Sequence, residues 1–423
     1  MSLSVISGLN GLCLADLTDE YDRRGLDSWS DRRLLGAVGE VVSVPKLAPA
    51  TSFVLHAPLE LLARAGLLDR VKPIARGEAR RRVVGLAAQY QAAGEPVHAP
   101  RPYRAESVGD AAGALVGAIE GGDLGEVDRL ASGLGQVATP RELAGFLAGP
   151  LAASLAAAAH SSILLYLLLR FAAAGEVPCT LVRGPARELA RNPSWRLRWF
   201  EDPSEPSAGG PLSQVLLDVP VLGVPGSDFI FPIMNQAEES GIARRLLAGI
   251  VSGPFDVAIA RAQLSRVAAW SMLSEPPDHA PYGWSHCLTM PQAVMGLAGL
   301  GADPSVALAV AATHVVGFRA AMGRERLVGG FAPEHPGSDD LAGAIADGPD
   351  AAAAVAWHHR DLDLVEAELA TRASLHHDAH LVKYTLACFD AAQADAAERR
   401  LYLAAAASLS GWWAQQPATE EAS

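Results

Sequence analysis

Histidine supplies most of the residues whose types and spacing could do chemistry in this chain, which has twelve of them. The densest group is the run Leu375-His376-His377-Asp378-Ala379-His380-Leu381-Val382-Lys383-Tyr384, which leads into Thr385-Leu386-Ala387-Cys388-Phe389. Read as one helix at 100° per residue, His376, His380 and Lys383 fall at about 0°, 40° and −20°, so all three project from one face. Leu381, Val382, Leu386 and Phe389 flank Lys383, and apolar surroundings lower an amine's pKa and leave some of it neutral and reactive. The bland alternative is that Lys383 snorkels to solvent while the histidines cap a helix.

His160 lies within Leu151–Leu169, a run of nineteen residues without a formal charge. Read as a continuous helix, the run puts an imidazole where only a metal or a fixed hydrogen bond would satisfy it, and a carbonyl-bonded core histidine is the simpler of the two. His56 and His286 each head an apolar helical run, in SFVLHAPLELLARAG and YGWSHCLTMPQAVMGLAGL, and His314 in AATHVVGF is a fifth buried candidate. His98, His279 and His335 stand beside prolines or in loops, and His358 and His359 adjoin Arg360 and Asp361; these read as solvated or salt-bridged.

The elements that must position these side chains are helices. Ala, Leu, Arg and Glu dominate and apolar residues recur three and four apart, as in VGDAAGALVGAIEGG and in TPRELAGFLAG, with Thr139 as cap and Pro140 at the first helical position. The expected architecture is mainly α, a single large helical domain over 1–416. Its exceptions are a short irregular or β-like excursion near 213–235, loops at Asp202–Leu212 and Gly329–Asp340, and an acidic tail at 417–423. No repeat with a period of roughly 20 to 50 residues is visible. The Gly133-Leu134-Gly135-Gln136-Val137-Ala138 stretch fits the permissive dinucleotide fingerprint, but it follows a helical sequence, so a helix C-cap before Thr139 is the better reading. Neither GxxxxGK[ST] nor GxSxG occurs.

Composition excludes other classes. Half of the 423 residues are apolar, which is ample for a core. Lys plus Arg is 34 against 47 Asp plus Glu, a net charge of −13 with no basic run, so nucleic acid is not an expected partner. Cys13, Cys179, Cys287 and Cys388 form no CxxC pair, which argues against a zinc ribbon or a disulfide framework and fits a reducing cytoplasm. The N-terminus does not read as a signal peptide. Leu151–Leu169 is long enough to span a bilayer, but its alanines, His160, Ser161 and Ser162 favour a buried helix; no second such segment is expected, and no membrane association.

Four short motifs in order resemble the questin oxidase-like family, whose members include oxygenases that cleave or expand rings of aromatic polyketides. They are His56-Ala57-Pro58 with its following helix, Ala159-His160, Ser285-His286-Cys287-Leu288-Thr289-Met290-Pro291, and His380-Leu381-Val382-Lys383 with its continuation, together spanning residues 50 to 390. The family commonly has glycine where Ala57 stands. The resemblance implies a mostly helical protein and, in one branch, an atypical non-haem iron site built from four histidines and a carboxylated lysine. Carried over, the ligands are His56, His160, His286, His380 and Lys383. Carboxylation by CO2 would turn the Lys383 amine into an anionic oxygen donor, leaving one octahedral position for dioxygen or a substrate oxygen. His314, His376 and His377 become outer candidates, with Asp378 or Asp363 to orient a ligand imidazole. Tyr166, Tyr282, Trp284 and Tyr384 are candidate pocket residues beside the ligands.

The leading expectation is therefore a metal-dependent, iron-favouring oxygenase of a planar polycyclic aromatic of secondary metabolism, with that small molecule and dioxygen as partners. The alternatives are an NADPH-dependent Baeyer–Villiger type monooxygenase, a metal hydrolase using the carboxylated lysine, and a non-enzymatic helical binding protein.

Overall fold

Side-chain caps mark where the chain enters many of its helices. Thr51 accepts the Val54 N–H, Thr139 and Glu142 form a reciprocal capping box with Pro140 in the first turn, and Asp256 accepts the Ile259 N–H. The computed structural model describes residues 6, 14–98, 101, 107–171, 178–201, 210–226, 229–275 and 277–417. About 75% of it is helical, and the described residues contain isolated bridges but no strand or sheet, so the mainly α expectation holds.

The chain folds as two compact units. The first comprises Met1–Asp69, Pro73–Arg196 and Leu297–Asp303; the second comprises Arg70–Lys72, Leu197–Gly296 and Pro304–Ser423. In the first unit, helix α1 (Ser52–Leu67) packs against helix α2 (His160–Phe171). Eleven of α1's residues are buried, including the Glu60–Arg64 ion pair at 2.6 Å, so this helix is enclosed on more than one face.

In the second unit, helix α3 (Ser285–Gly296) packs against α4 (Pro304–Met322) and α5 (Ala379–Ala394), and α5 packs against α6 (Arg399–Ala414). Every residue of α4 from Ala307 to Met322 is buried. A helix apolar all round belongs in the middle of a packed unit. The charge on α4 is handled locally: Arg319 is buried against Glu275, and its guanidinium lies 5.6 Å from the Trp284 ring.

Several local expectations are corrected. Leu151–Leu169 is not one helix: Pro140–Ala152 ends, Ala157, Ala158 and Ala159 take left-handed φ of 52°, 49° and 56°, and α2 begins at His160. Only α4 among the described helices has the length and apolar composition to cross a membrane, and 89% of its apolar window is buried. That segment has this length and Leu151–Leu169 does not, because α4 is unbroken over nineteen residues whereas the other run is interrupted before His160. Gly133 and Gly135 lie inside the helix Leu124–Val137, not at its cap. At Gly135 a Cβ would come within 2.8 Å of the Thr180 backbone, which explains the glycine as close backbone packing.

The excursion near 213–235 contains no strand. Leu212–Leu217 and Ile230–Glu239 are helices, and irregular backbone is confined to 218–226 and Phe229 among the described residues. The Gly329–Asp340 loop is irregular as expected. Most of the Asp202–Leu212 loop and of the 417–423 tail lies outside the described residues.

Candidate functional site

His286 stands in the first turn of α3 as expected, whereas His56 does not head its helix. The helix α1 begins four residues before His56, at Ser52, which places the Ser52 carbonyl under the ring: His56 Nδ1–H donates to it at 2.6 Å. His160, the first residue of α2, donates from Nδ1 to the Ala158 carbonyl at 2.8 Å and lies 3.1 Å from that of Ala157. Those carbonyls point at the ring because the alanines adopt the left-handed conformation, which costs an L-residue about 1–2 kcal/mol each. The two imidazoles meet edge to face in the first unit, with ring centroids 4.6 Å apart, and both are buried.

In the second unit, a π-helical turn at Ala280–Trp284 precedes α3, and His286 Nδ1–H donates to the Tyr282 carbonyl. Such turns are uncommon and accumulate at functional sites. His380 enters from α5, whose N-cap is Asp378; the Asp378 Oδ1 accepts the His380 backbone N–H at 2.6 Å and its Nδ1–H at 3.0 Å. The His286 and His380 centroids are 5.1 Å apart, at an interplanar angle of 88°.

Carbonyl and carboxylate oxygens only accept, so at all four imidazoles Nδ1 carries the hydrogen, and in the neutral ring the lone pair is then on Nε2. The protonation states favour the same role. Burial holds His380 below the usual imidazole range, the charge of Lys383 pushes the same way, and Asp378 opposes both. Burial raises Asp378, but its hydrogen bonds to His380 and the nearby imidazole charge outweigh that and keep it below its ordinary value. By contrast, burial pushes Cys287 up to about 12 and raises Cys388 as well, so with no metal beside them these thiols stay protonated at neutral pH.

Lys383 is buried, one turn beyond His380 on α5. His376 does not share that face: it ends the preceding helix, Leu362–Leu375, and its Nδ1 accepts the Asp378 N–H at 3.0 Å. Its ring stacks on His377 at 4.4 Å and contacts Trp413 at 4.9 Å. The helical wheel failed here because Asp378 starts a new helix. Of the two acids expected to orient a ligand, Asp378 accepts the His380 Nδ1–H, whereas Asp363 accepts Arg399 at 2.6 Å.

The aromatic candidates separate similarly. The Tyr282 ring lies 4.9 Å from His380 and is 49% exposed, whereas Trp284 and Tyr384 are fully buried in the core and Tyr166 is half-buried beside Arg170. Phe229 was missed; its ring lies 6.2 Å from His286 and 5.9 Å from Phe318, which in turn stacks on His314 at 6.5 Å. Its place in a proline-rich segment that reads as extended hid it. His314 is completely buried on α4, with no hydrogen-bond partner on Nδ1 among the described residues, and burial depresses it to about 4. His335 and His358 form a separate surface contact at 4.6 Å.

A set of imidazoles with fixed Nε2 lone pairs is chemically suited to a borderline divalent transition metal, iron, zinc, copper or nickel among them. No family model, curated protein or solved structure matches the chain.

Proposed function

We propose that this chain is a metal-dependent oxygenase of the questin oxidase-like type, with iron as the metal, acting on a polycyclic aromatic small molecule in the cytoplasm. The ligands in this reading are His56, His160, His286, His380 and Lys383, the last carboxylated. The observation that carries it is the shared tautomer: four buried histidines from four helices all commit Nδ1–H to an oxygen within their own local segment. A ligating imidazole usually gives its other N–H to a carbonyl or a carboxylate in this way, which leaves Nε2 for the metal.

When bound, the metal would supply dioxygen activation and Lewis acidity. The chain's own contribution is orientation and exclusion of water. Burial favours the neutral form of His380, the form that can donate a lone pair. The half-exposed Tyr282 ring beside His380, and Phe229 beside His286, offer flat apolar surfaces suited to a planar aromatic.

Elemental analysis of freshly purified protein tests the reading. Iron is expected in the wild type and depleted in His160→Ala and Lys383→Ala; full occupancy in both variants rejects the ligand set. Oxygen uptake with a hydroxylated anthraquinone separates the oxygenase from a hydrolase, and dependence of that uptake on added NADPH would favour the Baeyer–Villiger alternative.

A further inference from the structure

The four imidazoles differ in what holds Nδ1. His56, His160 and His286 donate to backbone carbonyls, and His380 alone donates to a carboxylate. Resting on the metal-binding reading, we propose that Asp378 is a positioning residue that acts through His380: it fixes that ring's tautomer and rotamer and makes its Nε2 the most electron-rich of the four donors.

The geometry ties ring and helix together. The same Asp378 oxygen accepts the first-turn N–H of α5 and the imidazole N–H, so the ring cannot turn without giving up the hydrogen bond to the oxygen that caps the helix. Asp378 is itself held, since its own N–H donates to His376 Nδ1 at 3.0 Å. Its side chain is 19% exposed, so it keeps part of its hydration and avoids the full cost of a buried charge. A neutral carbonyl polarises an imidazole N–H less than an anionic oxygen does, and loss of such an outer partner typically weakens metal affinity about 10–100-fold.

Asp378→Asn is the informative variant, because asparagine caps a helix as well as aspartate does and removes only the charge. Two measurements decide. In wild-type protein stripped of metal, 15N-detected histidine ring spectra should report His380 as the Nδ1–H tautomer with a low-field, exchange-protected proton; in Asp378→Asn that proton should move upfield. Titration with Co2+, followed by its visible bands, should give a dissociation constant raised about 10–100-fold in Asp378→Asn, with the melting temperature of the metal-free protein unchanged. An Nε2–H tautomer at His380 in the wild type, or a Co2+ affinity within about twofold of wild type in the variant, overturns the proposal. A wild type that takes up no Co2+ overturns the metal reading instead, and the ring tautomer, read without metal, still decides whether Asp378 governs His380.

Discussion

The histidine pair of the first unit and that of the second reach similar local ends by different means. His56 and His160 both give Nδ1–H to backbone: one to the carbonyl a turn earlier in α1, the other to carbonyls of a left-handed alanine turn. His286 gives Nδ1–H to a backbone carbonyl too, that of Tyr282 in a π-helical turn, whereas His380 gives it to a side-chain carboxylate, and the rings of Tyr282 and Phe229 lie beside this pair. Backbone anchoring is indifferent to charge and to most substitutions, but it can require strain. Side-chain anchoring avoids strain and places the donor strength of one imidazole under the control of a single carboxylate. Within the second pair only His380 is adjustable in this way.

The largest expected effect tests whether both pairs serve a metal at all. With Fe2+ at about a thousand times its dissociation constant, binding should add about 4 kcal/mol to stability. A chelator should lower the melting temperature of the wild type correspondingly and leave His160→Ala and His286→Ala unmoved. A response lost in only one of these variants would confine the metal to that unit's pair.

A smaller effect comes from His314, which has neither kind of anchor on Nδ1. Its folded pKa of about 4 lies below the roughly 6.5 of an unfolded histidine, so between these values the unfolded chain binds more protons. Stability from this group is complete above about pH 6.5 and is lost as pH falls to about 4, a difference of about 3 kcal/mol. Urea midpoints across that window should show the loss, and His314→Leu should flatten its share; an unchanged slope in the variant rejects the assignment.

Relieving the strained anchor should do less. Ala158→Gly is expected to stabilise the protein by about 1 kcal/mol, because glycine adopts positive φ without the Cβ clash. A destabilised variant would mean that the turn at 157–159 carries no strain. The smallest expected effect is none: Tyr282→Phe keeps the carbonyl that accepts His286 Nδ1–H, so the His286 ring tautomer should match wild type, in contrast to the displaced His380 signal of Asp378→Asn.

Local chemistry made part of this legible. The Thr139–Glu142 capping box, the helical character and the burial of His56, His160, His286, His380 and Lys383 follow from residue type and period. Three features did not. Alanine ordinarily avoids positive φ, so nothing in Ala157-Ala158-Ala159 announces the break that puts His160 at a helix start. His376 fell off the expected face because Asp378 can cap a helix or sit within one, and only packing chooses. Phe229 lay in a segment whose prolines read as extended, although Pro232 is accommodated in the first turn of the helix Ile230–Glu239.

The sequence by itself determined that the chain is helical, acidic and rich in histidines flanked by apolar residues, because propensity and period act over a few residues at a time. Tertiary structure decided where the helices around these histidines begin and break, and through that which local oxygen each Nδ1–H addresses. That choice depends on distances of about 3 Å set by turns, caps and packing, which no pattern of spacing along the chain encodes.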